Sequence, residues 1–335
     1  MKPGNTSTTF DTMPISAKPR IGISACLLGN AVRFDGGHKN NRFVHDTLSR
    51  FVDLVPVCPE VGSGMPVPRE SLRLVADRLV SGVRGVRLVG NRSGDDHTAR
   101  MIAWAEPTIT QLATLDLDGF ILKKDSPSCG IERVRLYRDI DDHHPSRTGT
   151  GIFAALLRQR MPTLPMTEEG WLCDARRRES FLGRIFTHYR MRSSLLASPS
   201  HAGLIAFHAE HKYLYLAHSP ARYRDLGRLV AHATEQPLRD TIDRYASEAL
   251  AALAEPTTPG KHANVLQHII GHFKKILTSF EKHELLSLVG EFRAGLHGLV
   301  VPLTLLVHHL RKHEIGGWLA SQVYFQPYPR GLAPR

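Results

Sequence analysis

The sequence predicts an α/β amino-terminal domain with a mostly parallel sheet, followed by an all-α carboxyl-terminal domain. Three observations carry this. Over the first half, short apolar runs alternate with helical patterns, as when helices join the strands of one sheet. After Pro165 the character changes to a polar stretch. From His201 onward, long helical periodicities follow one another, separated by Pro or Gly. The 335 residues suit two domains of roughly 100–200 residues each.

The elements follow in order. Residues 1–19 (MKPGNTSTTFDTMPISAKP) are polar and lack the apolar core of a secretory signal, so they are expected to form a disordered leader. Residues 20–24 (RIGIS) read as a strand, 42–50 as a short helix, and 51–57 (FVDLVPV) as a second strand. A third strand is expected at 85–89. Residues 98–115 have helical spacing that Pro107 should break or kink. Residues 119–123 (GFILK) form another strand, 151–160 (GIFAALLRQR) a helix, and 162–165 enter a last extended piece. The α/β domain thus spans 20–165. Residues 166–200, with Arg176, Arg177 and Arg178 in a row, read as a basic connector. The helical domain spans 201–330, with helices at 202–217, 222–234, 238–254, 261–280, 284–294 and 301–312. The final QPYPRG string cannot be helical.

Composition narrows the function classes. Lys and Arg outnumber Asp and Glu by 43 to 32, a net charge of +11, and such a field favours polyanions, nucleic acid above all. No run approaches the ~18 apolar residues of a membrane-spanning helix. Four cysteines in so long a chain make no disulfide framework, so a reducing cytoplasm is the expected location, where free thiolates can hold metal. No Walker A string is present, so no nucleotide cofactor is expected.

Three cysteines each lie just beyond the carboxyl end of a predicted strand: Cys26 after RIGIS, Cys58 after FVDLVPV and Cys129 after GFILK. In an open α/β sheet that edge is where sites form, so cysteines far apart in sequence can meet there. A structural zinc site would show four ligands with local Cys-x2–4-Cys spacing, which is absent. Two readings stay open on position alone: an iron–sulfur cluster, or three buried structural cysteines. Cys173, in the arginine-rich connector, reads as a bystander. Beside the cysteines stand a carboxylate, Glu60, suited to acid–base work or to a helix first turn, and two hydroxyls, Ser126 and Ser128, suited to donating to an anion or to capping a turn. Asp35 and Lys39 fit substrate contact or a surface ion pair.

Thirteen of the 19 histidines lie from His201 onward. His208 with His211, and His268 with His272, share helical faces. Metal chelation, solvated or core-edge packing, and nucleic-acid contact are all compatible with them. Arg176–Arg178, Arg222, Arg224, Lys274 and Lys275 are candidate phosphate contacts. Tyr213, Tyr215 and Tyr223 are candidates for base stacking or for the core.

The strings ISACLLGNAVRFDGGHK, VPVCPEVGSGMPVPRE, ILKKDSPSCG and GIFAALLR resemble the thiouracil desulfurase family over about 20–165. The resemblance implies a 4Fe–4S cluster bound by Cys26, Cys58 and Cys129, with Glu60 and Ser126 acting beside it. The strings FHAEHKYLYLAHSPARYRDLG, HANVLQHIIGHFKK, VPLTLLVHHL and QVYFQPYP resemble the YbgA-like domain often fused behind this module, over roughly 172–330. Such fusions imply desulfuration of thiolated tRNA, 4-thiouridine to uridine with release of hydrosulfide and no net redox change. Two alternatives stand beside this: desulfuration of free 2- or 4-thiouracil, and a non-catalytic iron–sulfur RNA-binding or redox-sensing protein, which would have no need of Glu60.

Overall fold

The computed structural model describes residues 18–80 and 83–333. Of the expected leader, residues 1–17 lie outside the described residues. Pro19 is already buried, and its carbonyl accepts from the Asp53 amide at 2.9 Å.

Four strands make a parallel sheet in the order β2-β1-β5-β8, with β1 at Arg20–Ser24, β2 at Asp53–Val57, β5 at Gly119–Leu122 and β8 at Met166–Glu168. Side chains alternate between its two faces. Ile21, Ile23 and Ile121 point to one face, where they meet Leu27, Val44 and Leu48. Phe120 and Leu122 point to the other, where they meet helix α2 (Thr98–Ala113) through Ala105 and Ile109 and helix α3 (Ile152–Arg160) through Phe153 and Leu157. Gly22 is required at the centre, because a Cβ there would lie 2.3 Å from the Phe120 ring.

A second sheet, β4-β3-β6-β7, was not foreseen. It pairs β3 (Leu72–Val80) antiparallel with β4 (Val83–Gly90), β3 parallel with β6 (Val134–Tyr137), and β6 antiparallel with β7 (Ser146–Gly149). The strand expected at 85–89 is its β4. This half therefore holds one all-parallel and one mixed sheet. Pro107 does not break its helix either: α2 runs through it unbroken.

The stretch 166–200 is not a polar tether. It contains β8 and helix α4 (Ala175–Arg190), capped by the Asp174 side chain on the Arg177 amide at 2.9 Å. Phe181, Leu182, Ile185 and Phe186 recur on one side of α4 and bury against Ile21, Ile23 and Ile121. Buried Asp118, ahead of β5, accepts from His188 at 3.0 Å and Arg192 at 2.9 Å. The arginine-rich opening turn concealed an apolar stripe that closes the sheet face of Ile21, Ile23 and Ile121.

Beyond it lie α5 (His201–His218), α6 (Pro220–Ala231), α7 (Leu238–Ala254), α8 (Pro259–His272), α9 (Ser279–Ala294) and α10 (Val300–Lys312). The helix expected to reach residue 280 stops at His272, because Thr278 and Glu281 form a capping box that starts α9. Two cores share α5, one with α6 and α7, the other with α8, α9 and α10. The tail then returns to the parallel sheet: the Pro327 carbonyl accepts from Arg190 at 3.1 Å, and Leu332 buries among Ile21, Ile23 and Leu48. Among the described residues, no helix is long and apolar enough to cross a membrane.

Candidate functional site

Strands β2, β1 and β5 are neighbours and parallel, so the three chain segments leaving them emerge side by side. Cys26 sits in the single 3-10 turn after β1, which closes on Gly29 at φ 92°. Cys58 is the residue before the short helix α1 (Pro59–Gly62), with Pro59 at its first position. Cys129 lies in the loop after β5. All three line one cavity of about 490 Å³. Cys26 and Cys129 are buried and Cys58 half-buried, whereas Cys173 is exposed and outside the cavity.

The cavity shapes the thiols. Burial pushes Cys26 up to about 11, against the pull of the Lys123 ammonium. Burial likewise raises Cys58 and, furthest, Cys129, whose sulfur has the Ser24 hydroxyl as hydrogen-bond partner. Each of the three is raised further by a neighbouring thiol or carboxylate. Thiols so placed become thiolates when a cation takes the proton's place.

The Ser126–Cys129 loop is braced from two sides. The Ser126 hydroxyl accepts from the amides of Ser128 at 3.2 Å and Cys129 at 3.1 Å. The first amides of α3, which have no partner within their own helix, donate to the loop: Ile152 to the Pro127 carbonyl at 3.1 Å and Phe153 to that of Ser128 at 3.0 Å. A Cβ on Gly151 would lie 2.5 Å from the Ser128 backbone, so only glycine allows this approach. The distant string GIFAALLR is thereby tied to the cysteine loop.

Glu60 lines the cavity with both oxygens held. Oε1 accepts from the buried Ser128 hydroxyl at 2.8 Å, and Oε2 accepts from Arg69 Nε at 2.8 Å. Arg69, only 6% exposed, also donates to the Val32 carbonyl at 3.0 Å. Sequence reasoning assigned Arg69 no role. The available signal was an arginine nine positions after Glu60 in the string GSGMPVPRE. Of the two serines, Ser126 lines the cavity and Ser128 stands behind Glu60. Asp35 and Lys39 do not line it: Asp35 pairs with Arg33 at 3.3 Å on the surface. The cavity also carries Arg33, Arg73, Lys124 and Arg135, with Phe34 and Tyr137 among them.

In the helical half, several expected contacts are absorbed by the fold. Tyr213 and Tyr215 are core residues, and Tyr223 packs partly buried against them, so they form no exposed stacking platform. Their hydroxyls or rings meet His272, Tyr245 and other helix-facing groups instead. His208 and His211 do not form a chelating pair: His211 Nδ1 faces the Phe207 carbonyl at 2.8 Å, and its Nε2 faces Arg190 at 3.1 Å. Arg222 is engaged by Glu248 and Glu255. Arg176, Arg177, Arg224, His268, His272, Lys274 and Lys275 are exposed. A larger cavity, about 980 Å³, lies between α4, α10 and the tail, with Arg176, Arg177 and Arg184 on its lining and no cysteine.

The family model described as 2-thiouracil desulfurase matches residues 21–169, and that described as a protein of unknown function (DUF1722) matches residues 212–329. The uncharacterized protein YbgA of Escherichia coli (strain K12) is 32% identical over 153 residues, 45% of this chain and 90% of YbgA. The chain is thus a relative of YbgA that carries a 2-thiouracil desulfurase module over residues 21–169. Its desulfurase module is followed by a DUF1722 domain. The uncharacterized protein YbbK of Bacillus subtilis (strain 168) is 29% identical over 140 residues, 41% of this chain and 88% of YbbK. Among solved structures, the [4Fe-4S]-dependent thiouracil desulfidase TudS is 31% identical, covers 47% of this chain and 95% of its own, and superposes with a TM-score of 0.36. All three cysteines, Glu60, Ser126 and Arg69 fall inside the desulfurase module.

Proposed function

We propose that the protein removes sulfur from 4-thiouridine in tRNA, at a 4Fe–4S cluster held by Cys26, Cys58 and Cys129. The observation that carries this is the meeting of three buried or half-buried thiols with a firmly held carboxylate in one cavity at the sheet edge. The donor set fits such a cluster: three soft sulfur donors, with Cys173, the remaining cysteine, exposed elsewhere. When bound, the cluster supplies a Lewis-acidic iron with a position open to a soft thiocarbonyl sulfur.

The chain's own residues do the rest. Glu60 takes the proton of the water that replaces sulfur at the uracil carbon; thiocarbonyl and water become carbonyl and hydrogen sulfide, with no electron gained or lost. Arg69 and Ser128 fix the direction of that carboxylate, so no reorientation is needed when the proton arrives. Ser126 accepts two amides and keeps its own O–H to donate to the oxygen that gains charge. The carboxylate beside the cysteines favours this enzyme reading over a sensor.

Two features support a polyanionic substrate over the free base. Arg33, Arg73, Lys124 and Arg135 line the cavity, where a bare uracil has no phosphate to offer them. The chain's net charge is +11, and the exposed bases of the helical half, residues 201–330, extend this field beyond the cavity as an RNA-holding surface. The test is to reconstitute the full chain with iron and sulfide under anaerobic conditions. It is then given 4-thiouridine-containing tRNA and free 4-thiouracil in parallel, following loss of thiocarbonyl absorbance. The proposal expects a higher kcat/KM on tRNA; an equal or higher value on the free base would turn the reading to free thiouracil.

A further inference from the structure

Far from the cysteine cavity, α9 and α10 bring three donor side chains to one point. His309 lies in the last turn of α10 and His313, four positions on, is the residue that caps its end, so the two rings stack on one side of it. Glu281 is the third residue of α9. Its Oε1 lies 3.9 Å from His309 Nδ1 and 3.7 Å from His313 Nε2. One ligand atom from each lies within 4.8 Å of the others.

A second observation is independent of that clustering. The His309 side chain is 4% exposed, yet among the described residues neither of its ring nitrogens has a hydrogen-bond partner, and neither does Nε2 of His313. Buried polar nitrogens are rarely left so, because they have given up water for nothing. The other oxygen of Glu281 is already committed: Oε2 accepts from the amide and hydroxyl of Thr278 in the capping box, both at 2.9 Å. That bond turns Oε1 toward the histidines. Oε1 at present receives the Lys312 ammonium, whose side chain is half exposed and free to swing into solvent.

We infer that Glu281, His309 and His313 form a zinc site that ties the start of α9 to the end of α10. Two imidazoles four residues apart plus one carboxylate are a donor set that suits Zn²⁺. Donors about 2.0–2.1 Å from a tetrahedral zinc sit roughly 3.4 Å from one another, so the two carboxylate–imidazole separations, 3.9 and 3.7 Å, need to close by a few tenths of an ångström, and the two imidazoles, within 4.8 Å, by a side-chain rotation. Three protein ligands leave a fourth position for water. Lys312 holds the carboxylate while no metal is there and yields it when zinc arrives. The site uses none of the desulfurase residues.

The test uses the full chain, stripped with a chelator under reducing conditions and titrated with Zn²⁺ alone in competition with a chromophoric chelator. Wild type, Glu281→Gln, His313→Ala and Lys312→Met all keep the four cysteines, so any zinc they hold is common to every titration. His313→Ala is expected to lose one zinc equivalent, or to bind it roughly 100-fold or more weakly. Glu281→Gln keeps the capping box and should weaken the same equivalent. Lys312→Met removes the competing ammonium and should tighten it. Zinc should raise the melting temperature of wild type by more than that of His313→Ala, a second reading that shows whether the variant is folded. Equal zinc stoichiometry and affinity in wild type and His313→Ala would overturn the inference, and so would a Lys312→Met chain that binds zinc no more tightly.

Discussion

The two halves of the molecule treat their buried polar groups in opposite ways. In the desulfurase module, thiols, a carboxylate and a guanidinium gather at one sheet edge and face a common cavity. In the helical half, buried histidines and tyrosines mostly close on the backbone or on one another: His218 Nδ1 on the Glu255 carbonyl at 2.7 Å, His262 on the Tyr324 hydroxyl at 2.9 Å, Tyr245 on Tyr215 at 3.4 Å. Burial holds His208, His218 and His262 down to about 4, so they stay neutral and inert near pH 7. A reactive residue type is therefore a weak guide by itself. What separates chemistry from architecture here is whether the group still faces open space with bonding capacity left. Among the described residues of the helical half, the trio Glu281, His309 and His313 gathers such unspent capacity at one point.

The comparison can be broken at several points. Glu60→Gln keeps the size of the side chain and removes the base. Turnover should fall roughly 10²–10⁴-fold while iron content is unchanged, and rates near wild type would remove Glu60 from the chemistry. Arg69→Met comes next. It leaves the carboxylate without its guanidinium, so kcat should drop by about 10- to 100-fold with KM little changed, and Arg69→Lys should recover part of the loss. A fall in KM-linked binding alone would make Arg69 a substrate contact instead.

Reversing the charge of Arg176, Arg177 and Arg178 should act on binding and not on chemistry. Affinity for tRNA should weaken and the log–log salt slope should shrink by about 2 to 3, while kcat at saturating tRNA holds. An unchanged slope would confine the RNA-holding surface to residues 201–330 and leave α4 out of phosphate contact. The smallest effect is expected at Tyr215→Phe. Among the described residues its hydroxyl bonds to that of Tyr245 in the core, so stability should fall by about 1 kcal/mol and tRNA affinity should not move. A loss of affinity there would restore the stacking role that its burial argues against.

Much of this was legible in the sequence, for a physical reason. The three cysteines each follow a short apolar run. Parallel strands that neighbour one another must present their carboxyl ends on one edge, so RIGIS, FVDLVPV and GFILK bring their cysteines together once β2-β1-β5 is the order. Arg69 was not legible because its bond to Glu60 depends on how the chain folds back after α1, which no local pattern encodes. Strand β3 was missed because Arg73 and Asp77 interrupt its apolar pattern, and its stability comes from β4 and β6 on either side. Helix α4 was read as a tether because its charged residues come first and its apolar stripe begins at Phe181. The tyrosines of α5 could not be assigned because a stripe of aromatics at helical spacing looks the same whether it faces a core or a nucleic acid.

The central claim is that Cys26, Cys58 and Cys129 together hold a cluster on which desulfuration depends. It is tested most directly by measuring iron and acid-labile sulfide per chain after anaerobic reconstitution of wild type and Cys58→Ala, with Cys173→Ala as the control. Cys58 is the cysteine to change because it is only half-buried, so its removal disturbs packing least. The account predicts about four irons and four sulfides per chain in wild type and in Cys173→Ala, with a sharp loss of both in Cys58→Ala together with loss of thiouridine turnover. A wild-type chain that takes up no iron, or a Cys58→Ala chain that keeps the full complement and its activity, would contradict it.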